Sequence, residues 1–313
     1  MSEQLAIGVD VGGTKIAAGV VDAHGVIVKK LRVATPAADA EAIEAEIVRL
    51  VRELSDEPLP VGVAIPGFID AAQSEVYFTP NVPWRNTPLR ADLEAKLGRT
   101  VVVDNDANAA GWAEYRFGAG RGYTDVTLLT IGTGLGGAII VGGKLIRGGF
   151  GAAAELGHVR VVPDGVLCGC GQRGCLEQYT SGRAFMRLLN EVADDEPHGE
   201  LAQVRAREGE LNAENVEPLM FAEEPGVTAA LERLGRVLGQ GCASIAAVLD
   251  PQRFIFGGGV AIAGESLLRW IRAGFFDSVP ARGFHPEPSF AIAEMVNDAG
   301  IVGAADLARI AQH

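Results

Sequence analysis

GVDVGGTKIAAGVV, residues 8–21, is a run of small and β-branched residues broken at Gly12-Gly13 and resumed at Lys15. Such runs on both sides of a glycine break predict strand–turn–strand. That excludes a P-loop and a dinucleotide fingerprint, because in both the glycine turn opens a helix. In a hairpin, the two glycines let the backbone approach a ligand closely and aim amides at it. Thr14 adds a hydroxyl and Lys15 a positive charge. Asp10 suits magnesium, which takes oxygen ligands and keeps several waters. Asp10–Lys15 is therefore a candidate phosphate-binding hairpin.

Outward from it, VIVKKLRV (26–33) predicts a third strand, completing a β-meander. Residues 39–54 carry Ile43, Ile47, Leu50, Val51 and Leu54 at helical spacing. VGVAIPG (61–67) reads as a buried strand stopped at Pro66-Gly67, and a Pro-rich loop spans Thr79 to Pro88. Residues 101–103, VVV, form a short strand running into Asp104-Asn105-Asp106, after which 107–118 read as a helix.

A second strand–turn–strand, TDVTLLTIGTGLGGAIIVGGKLIRG, occupies 124–148. Its core starts at Leu128, 120 residues after Gly8. Residue identity is slight, but the pattern repeats in kind, which suggests two related lobes that each supply a phosphate-facing hairpin. Residues 191–225 are polar and acidic without strong periodicity and read as a surface insertion with some helix. A helix is expected at 227–249, a strand leading into Gly257-Gly258-Gly259, and a terminal helix over 300–313. The glycine triplet suits backbone packed closely against a nucleotide.

With 313 residues the chain can bury two cores. A formal charge of −13 argues against a nucleic-acid or anionic-membrane partner, since phosphate backbones need a basic footprint. No stretch is long enough to span a bilayer, and the N-terminus lacks a basic region followed by an apolar run. The expected location is the cytoplasm.

Transfer of a phosphoryl group to a hydroxyl needs positioning, charge stabilisation and a base beside the acceptor. Asp106, at a predicted strand end and helix start, is the candidate base, with Asn105 hydrogen-bonding neighbouring hydroxyls. Helix capping by these residues is the competing reading. Asp104 is expected to lie outside the site. Three of the four cysteines, Cys168, Cys170 and Cys175, crowd into eight residues, and His158 lies ten residues upstream. Structural zinc takes four such ligands, so these four residues form the candidate metal site. His24, His198, His285 and His313 receive no role.

Assembled, these pieces resemble the ROK family of bacterial sugar kinases and repressors, most of all its actinobacterial-type glucokinase branch. The match is carried nearly end to end by DVGGTK (10–15), Pro66-Gly67, NDANAA (105–110), GTGLGG (132–137), ELGH (155–158), CGCGQRGCLE (168–177) and FGGG (256–259). Ala138 departs slightly from it, standing where a further Gly is common.

The resemblance implies an α/β chain with the actin-like ATPase (ribonuclease H-like) fold, two lobes with mixed sheets and a cleft between them. The expected division is 1–118 plus 298–313 against 119–297. The implied reaction is ATP-dependent phosphorylation of glucose to glucose 6-phosphate. Alternatives are a kinase for N-acetylmannosamine, N-acetylglucosamine, mannose or fructose; a ROK repressor, less in keeping with an acidic chain that has about four residues before its first strand; and a regulatory sugar sensor, less in keeping with the presence of the base and the phosphate hairpins. Asp106 is then the base, and Gly67, Asn105, Asp106, Glu155, His158 and Glu177 hold the sugar. ATP with Mg2+ meets Asp10, Gly12, Gly13, Thr14, Lys15, Thr133, Gly134, Gly257, Gly258 and Gly259. Structural Zn2+ sits on His158, Cys168, Cys170 and Cys175, with the second ring nitrogen of His158 turned to the sugar. Specificity is expected in the Thr79–Pro88 loop. Polyphosphate is a possible donor, and a dimer or tetramer is the expected assembly.

Overall fold

The computed structural model describes residues 4–36, 39–80 and 82–311. His313 and position 81 of the Thr79–Pro88 loop lie outside the described residues. The chain divides into two compact units. The first holds residues 1–124, 138–154 and 294–313, and the second 125–137 and 155–293. The segment 138–154 thus groups with the first unit, whereas the sequence reading had it inside one lobe running from 119 to 297.

The first unit is built on a five-stranded sheet in the order Ile27–Ala34, Lys15–Val21, Ala6–Val11, Val61–Ile65, Val101–Asn105. The first three strands are the expected antiparallel meander. The last three run parallel, with Asp10 beside Ala64 and Ala64 beside Asp104. This register brings Asp10, Pro66-Gly67 and Asn105-Asp106 to the same carboxyl edge of the sheet, where parallel α/β sheets bind ligands.

Both faces of the parallel strands are covered, which is why they read as near-continuous apolar runs. One face packs Val9, Val11, Val61 and Val63 with Ile43, Ile47, Leu50 and Val51 of the helix Ala40–Leu54. The other receives the helices Asp106–Phe117 and Ala299–Ile310. The second of these is buried along nearly its whole length, and it comes in unusually close. A β-carbon on Gly8 would lie 1.8 Å from the Ile301 carbonyl oxygen, and one on Gly62 would lie 1.8 Å from that of Ala304. One on Gly303 would lie 1.7 Å from the Ala109 oxygen.

In the first unit the end of Leu135–Val141 pairs antiparallel with Lys144–Leu145. In the second unit Val126–Ile131, Arg253–Gly257 and Ser289–Ile292 run parallel, pairing Thr130 with Gly257. The helices Pro225–Leu249 and Glu265–Ser278 pack through Gly239 and Gly274, each of whose β-carbons would meet partner backbone oxygen at 2.1 Å.

Two local expectations change. Residues 191–225 are mostly helical, with Glu200–Glu208 and Ala213–Phe221 burying Leu201, Val204, Val216, Leu219 and Met220. Each helix is only nine residues long, too short for its apolar spacing to stand out among so many charges. The Thr79–Pro88 loop also contains the strand Arg85–Thr87, which closes a small three-stranded sheet with Phe68–Ile69 and Val76–Phe78. Among the described residues no helix is long and apolar enough to cross a membrane.

Close helix–sheet contact makes a direct prediction. Gly62→Ala should destabilise the protein by about 1–3 kcal/mol, because the added methyl overpacks a backbone contact that cannot yield. Urea denaturation followed by circular dichroism would show it. An unchanged midpoint would mean that the helix can back away freely.

Candidate active site

In the first unit, the hairpin turn is closed by the Gly12 amide donating to the Lys15 carbonyl at 2.9 Å. The Thr35 hydroxyl donates to the Gly12 carbonyl at 2.6 Å. Gly13 and Thr14 stand exposed at the tip. Asp10, at the end of its strand, has its carboxylate against the backbone of Gly300, where a β-carbon would lie 2.7 Å from it. Burial pushes its pKa up to about 6 from an ordinary 3.8. Lys15 and Lys30 pull it down, while Asp298 adds to the rise.

Asn105 caps the helix Asp106–Phe117, its Oδ1 accepting from the Asn108 amide at 3.0 Å. Its Nδ2 donates to the Gly67 carbonyl at 3.2 Å, tying the cap to the Pro66-Gly67 break. Capping therefore falls to Asn105. Asp106 is the first residue of the helix, with Oδ1 accepting from the Ala107 amide at 2.9 Å. A helix N-terminus favours the ionised carboxylate, the form a general base needs. Asp104 is buried, pairs with Arg147 and accepts from the Asn105 amide at 2.8 Å. Arg147 went unnoticed in the sequence, where nothing marks it beyond its place after the second hairpin.

In the second unit, the turn Gly132–Gly134 and the triplet Gly257–Gly259 follow two paired parallel strands. Gly258 has φ of +86°, and a β-carbon there would lie 2.5 Å from the Ile131 carbonyl oxygen. This position takes only glycine. Arg183 donates to the Thr133 carbonyl at 2.9 Å and so holds the neighbouring turn.

Glu155 and His158 bracket a single 3-10 turn, Leu156–His158. His158 presents its two ring nitrogens to different partners. Nδ1 lies 3.7 Å from the Cys168 sulfur, and Nε2 lies 3.9 Å from the Glu155 carboxylate. The sulfurs of Cys170 and Cys175 are 3.6 Å apart. Ligand atoms of His158, Cys168, Cys170 and Cys175 all fall within 4.8 Å of one another. Four ligands on a tetrahedral zinc, with Zn–S near 2.3 Å, stand about 3.8 Å apart, so the donor set and its spacing fit that ion. The loop depends on Gly174, with φ of +78° and a would-be β-carbon 1.7 Å from the Val162 oxygen.

Glu177 joins this cluster to the glycine turn. Its Oε2 accepts from the Leu135 amide at 3.1 Å, and its Oε1 lies 4.0 Å from the Cys168 sulfur. Burial raises the pKa of Glu155; His158 opposes the rise and Glu177 adds to it. The sequence-predicted residues thus gather into one group per unit, Asp10 to Lys15 with Gly67, Asn105 and Asp106, and Thr133-Gly134 with Glu155, His158, the cysteines, Glu177 and Gly257–Gly259.

The fold is the two-lobed actin-like ATPase fold of ROK sugar kinases. The ROK family model matches residues 6–311, and the chain belongs to that family. A glucokinase from Streptomyces coelicolor is 45% identical over 312 residues, covering 97% of this chain and 98% of that protein. A glucokinase from Thermotoga maritima is 38% identical, covering 96% of each. The crystal structure of a ROK family glucokinase from Streptomyces griseus in complex with glucose and AMPPNP matches with a TM-score of 0.87 at 45% identity, covering 98% of this chain and 99% of that one.

Two predictions follow from the geometry. Cys170→Ser should bind less than a tenth of the wild-type zinc after dialysis, measured by atomic emission. It should also weaken glucose binding by about 10- to 100-fold, the usual effect of disturbing residues that orient a ligand-bearing histidine. Full glucose affinity in the zinc-free variant would separate the cluster from the sugar.

The second concerns Asp10. Because burial raises its pKa, the folded protein holds that proton more tightly than the unfolded chain does. The cost of ionising it is absent below pH 3.8 and complete above about 6. Asp10→Asn should therefore stabilise the ligand-free protein at pH 7.5, by at most about 3 kcal/mol, and give only a small part of that gain at about pH 4. Equal gains at both values would contradict the burial account.

Proposed function

We propose that this protein is a glucokinase that transfers the γ-phosphoryl group of ATP to the 6-hydroxyl of glucose. The observation that supports it most is the Asn105–Asp106 junction. There a carboxylate sits at a helix N-terminus beside a cap tied to Gly67.

In this reading the Asp106 carboxylate accepts the proton of the glucose 6-hydroxyl as that oxygen attacks the γ-phosphorus. The bond to the bridging oxygen breaks, and ADP leaves with the electron pair. Asn105 has one N–H left over from its bond to Gly67 for a sugar hydroxyl. Glu155, Glu177 and His158 Nε2 hold other hydroxyls. His158 Nδ1, committed to the cysteine cluster, fixes the ring so that Nε2 has one orientation. The amides at Gly12–Lys15, Thr133-Gly134 and the Gly257–Gly259 turn receive the nucleotide, with Lys15 supplying positive charge.

Magnesium bound with ATP would supply positive charge beside the phosphates, and Asp10 would be the residue to hold it. A buried carboxylate with a raised pKa gains by meeting a cation. Zinc on His158, Cys168, Cys170 and Cys175 is structural, because four protein ligands leave no open position. We place the protein in the cytoplasm, where free thiolates persist, and as a dimer or tetramer without a nucleic-acid partner.

The test is ADP release with MgATP across glucose, mannose, fructose, N-acetylglucosamine and N-acetylmannosamine, with polyphosphate as a second donor arm. Glucose should be turned over well above the others. Preference for an amino sugar would displace glucose as substrate. Asp106→Asn should lower kcat by about 10²–10⁴-fold, the usual worth of a positioned base, with glucose still bound. A variant retaining more than about a tenth of the wild-type rate would remove Asp106 from the role of base.

A further inference from the structure

We propose that Asp104 and Arg147 form a positioning pair that aims Asn105 and Asp106, and that Arg147 is needed for turnover rather than for folding. The proposal rests on Asp106 being the base.

Asp104 is 3% exposed, and both of its carboxylate oxygens are fully used. Oδ2 accepts from Arg147 Nε at 2.8 Å, Arg147 Nη2 at 2.5 Å and Gln73 Nε2 at 2.9 Å. Oδ1 accepts from the Asn105 amide at 2.8 Å and Asn108 Nδ2 at 3.1 Å. One oxygen thus grips the junction that carries Asn105 and Asp106, while the other is gripped by two incoming segments. Five donors converge on one carboxylate.

Stability alone does not call for this arrangement. Asn105 already caps the helix, so the cap does not depend on Asp104. A buried ion pair is often no more stabilising than apolar packing of the same volume, and the strand neighbour of Asp104 is Ala64. What the pair does supply is a fixed orientation for the Asn105 amide plane and a local balance of charge. Asp104 and Asp106 are anions two residues apart, and like charges disfavour ionisation of the second. The Arg147 guanidinium offsets the charge of Asp104 beside the junction.

Arg147 is itself held in place. Its carbonyl accepts from the Ala153 amide at 3.0 Å, closing the loop Gly148–Gly151. Gly151, with φ of +86°, packs so tightly on the Ile69–Ala71 backbone that a β-carbon would lie 2.1 Å from the Ile69 oxygen. The guanidinium therefore reaches Asp104 from a braced segment, not from a freely moving surface chain.

The experiment compares Arg147→Met, Arg147→Lys and Asp104→Asn with Asp106→Asn in the intact protein, reading kcat, KM for glucose and for MgATP, melting temperature, and the pH profile of kcat/KM. Arg147→Met should lower kcat by about 10- to 100-fold, as small misplacements of a reacting group do, with KM for MgATP unchanged. Its acidic limb should move to higher pH, because the cation paired with Asp104, two residues from Asp106, is gone. Asp104→Asn should also lower kcat but move that limb to lower pH, because an anion is gone. Arg147→Lys should recover most of the rate. A purely structural pair would move both limbs alike or not at all.

Wild-type kcat and pH profile in Arg147→Met, with Asp106→Asn inactive, would overturn the positioning role alone. Losses that track the unfolded fraction, with normal turnover per folded molecule, would overturn it too. An active Asp106→Asn would remove the base and the proposal together.

Discussion

The nearness of the helix Ala299–Ile310 to the strands Ala6–Val11 and Val61–Ile65 is the constraint on which the first unit depends. Backbone meets backbone at Gly8, Gly62 and Gly303, where no side chain fits. That contact covers the second face of the parallel strands. It also brings Gly300 against the Asp10 carboxylate, removing water from it and raising its pKa. One packing choice therefore sets both the core and the electrostatics of the candidate phosphate hairpin.

Polar side chains around the candidate base form a graded arrangement. Asp104 is buried and saturated, Asn105 is shared between the helix cap and Gly67, and Asp106 sits at the helix start. The carboxylate proposed to react is thus placed next to one committed to structure. In the second unit His158 divides its two nitrogens in the same spirit, one toward the thiols and one toward Glu155. Each unit rigidifies a reactive group by committing its neighbour to structure.

Much of this was legible in the sequence because the signals were local. The glycine turn in Asp10–Lys15 and the spacing of Cys168, Cys170 and Cys175 need only a few residues to be read. The rest depends on residues far apart along the chain. Arg147 meets Asp104 across 43 positions, and no local pattern records that meeting. Gly300 is silent until it is seen against Asp10. The helices within 191–225 were under-read because each is nine residues long and buries only two or three apolar side chains. Whether Asn105 or Asp106 caps the helix was likewise open, since both residue types suit that position.

The helix that completes the first unit is made after all the strands it covers. On the ribosome, the sheet of residues 6–105 emerges with one apolar face uncovered, and everything up to residue 293 is synthesised before the covering helix appears. For that interval Ala6, Ala17, Ala64 and their neighbours lack part of their cover, and that face is open to wrong partners. Nascent chains stalled late in synthesis would be clients for holding chaperones even though most of their residues are already present. Loss of the last dozen residues of the helix would cost the whole first unit rather than its margin.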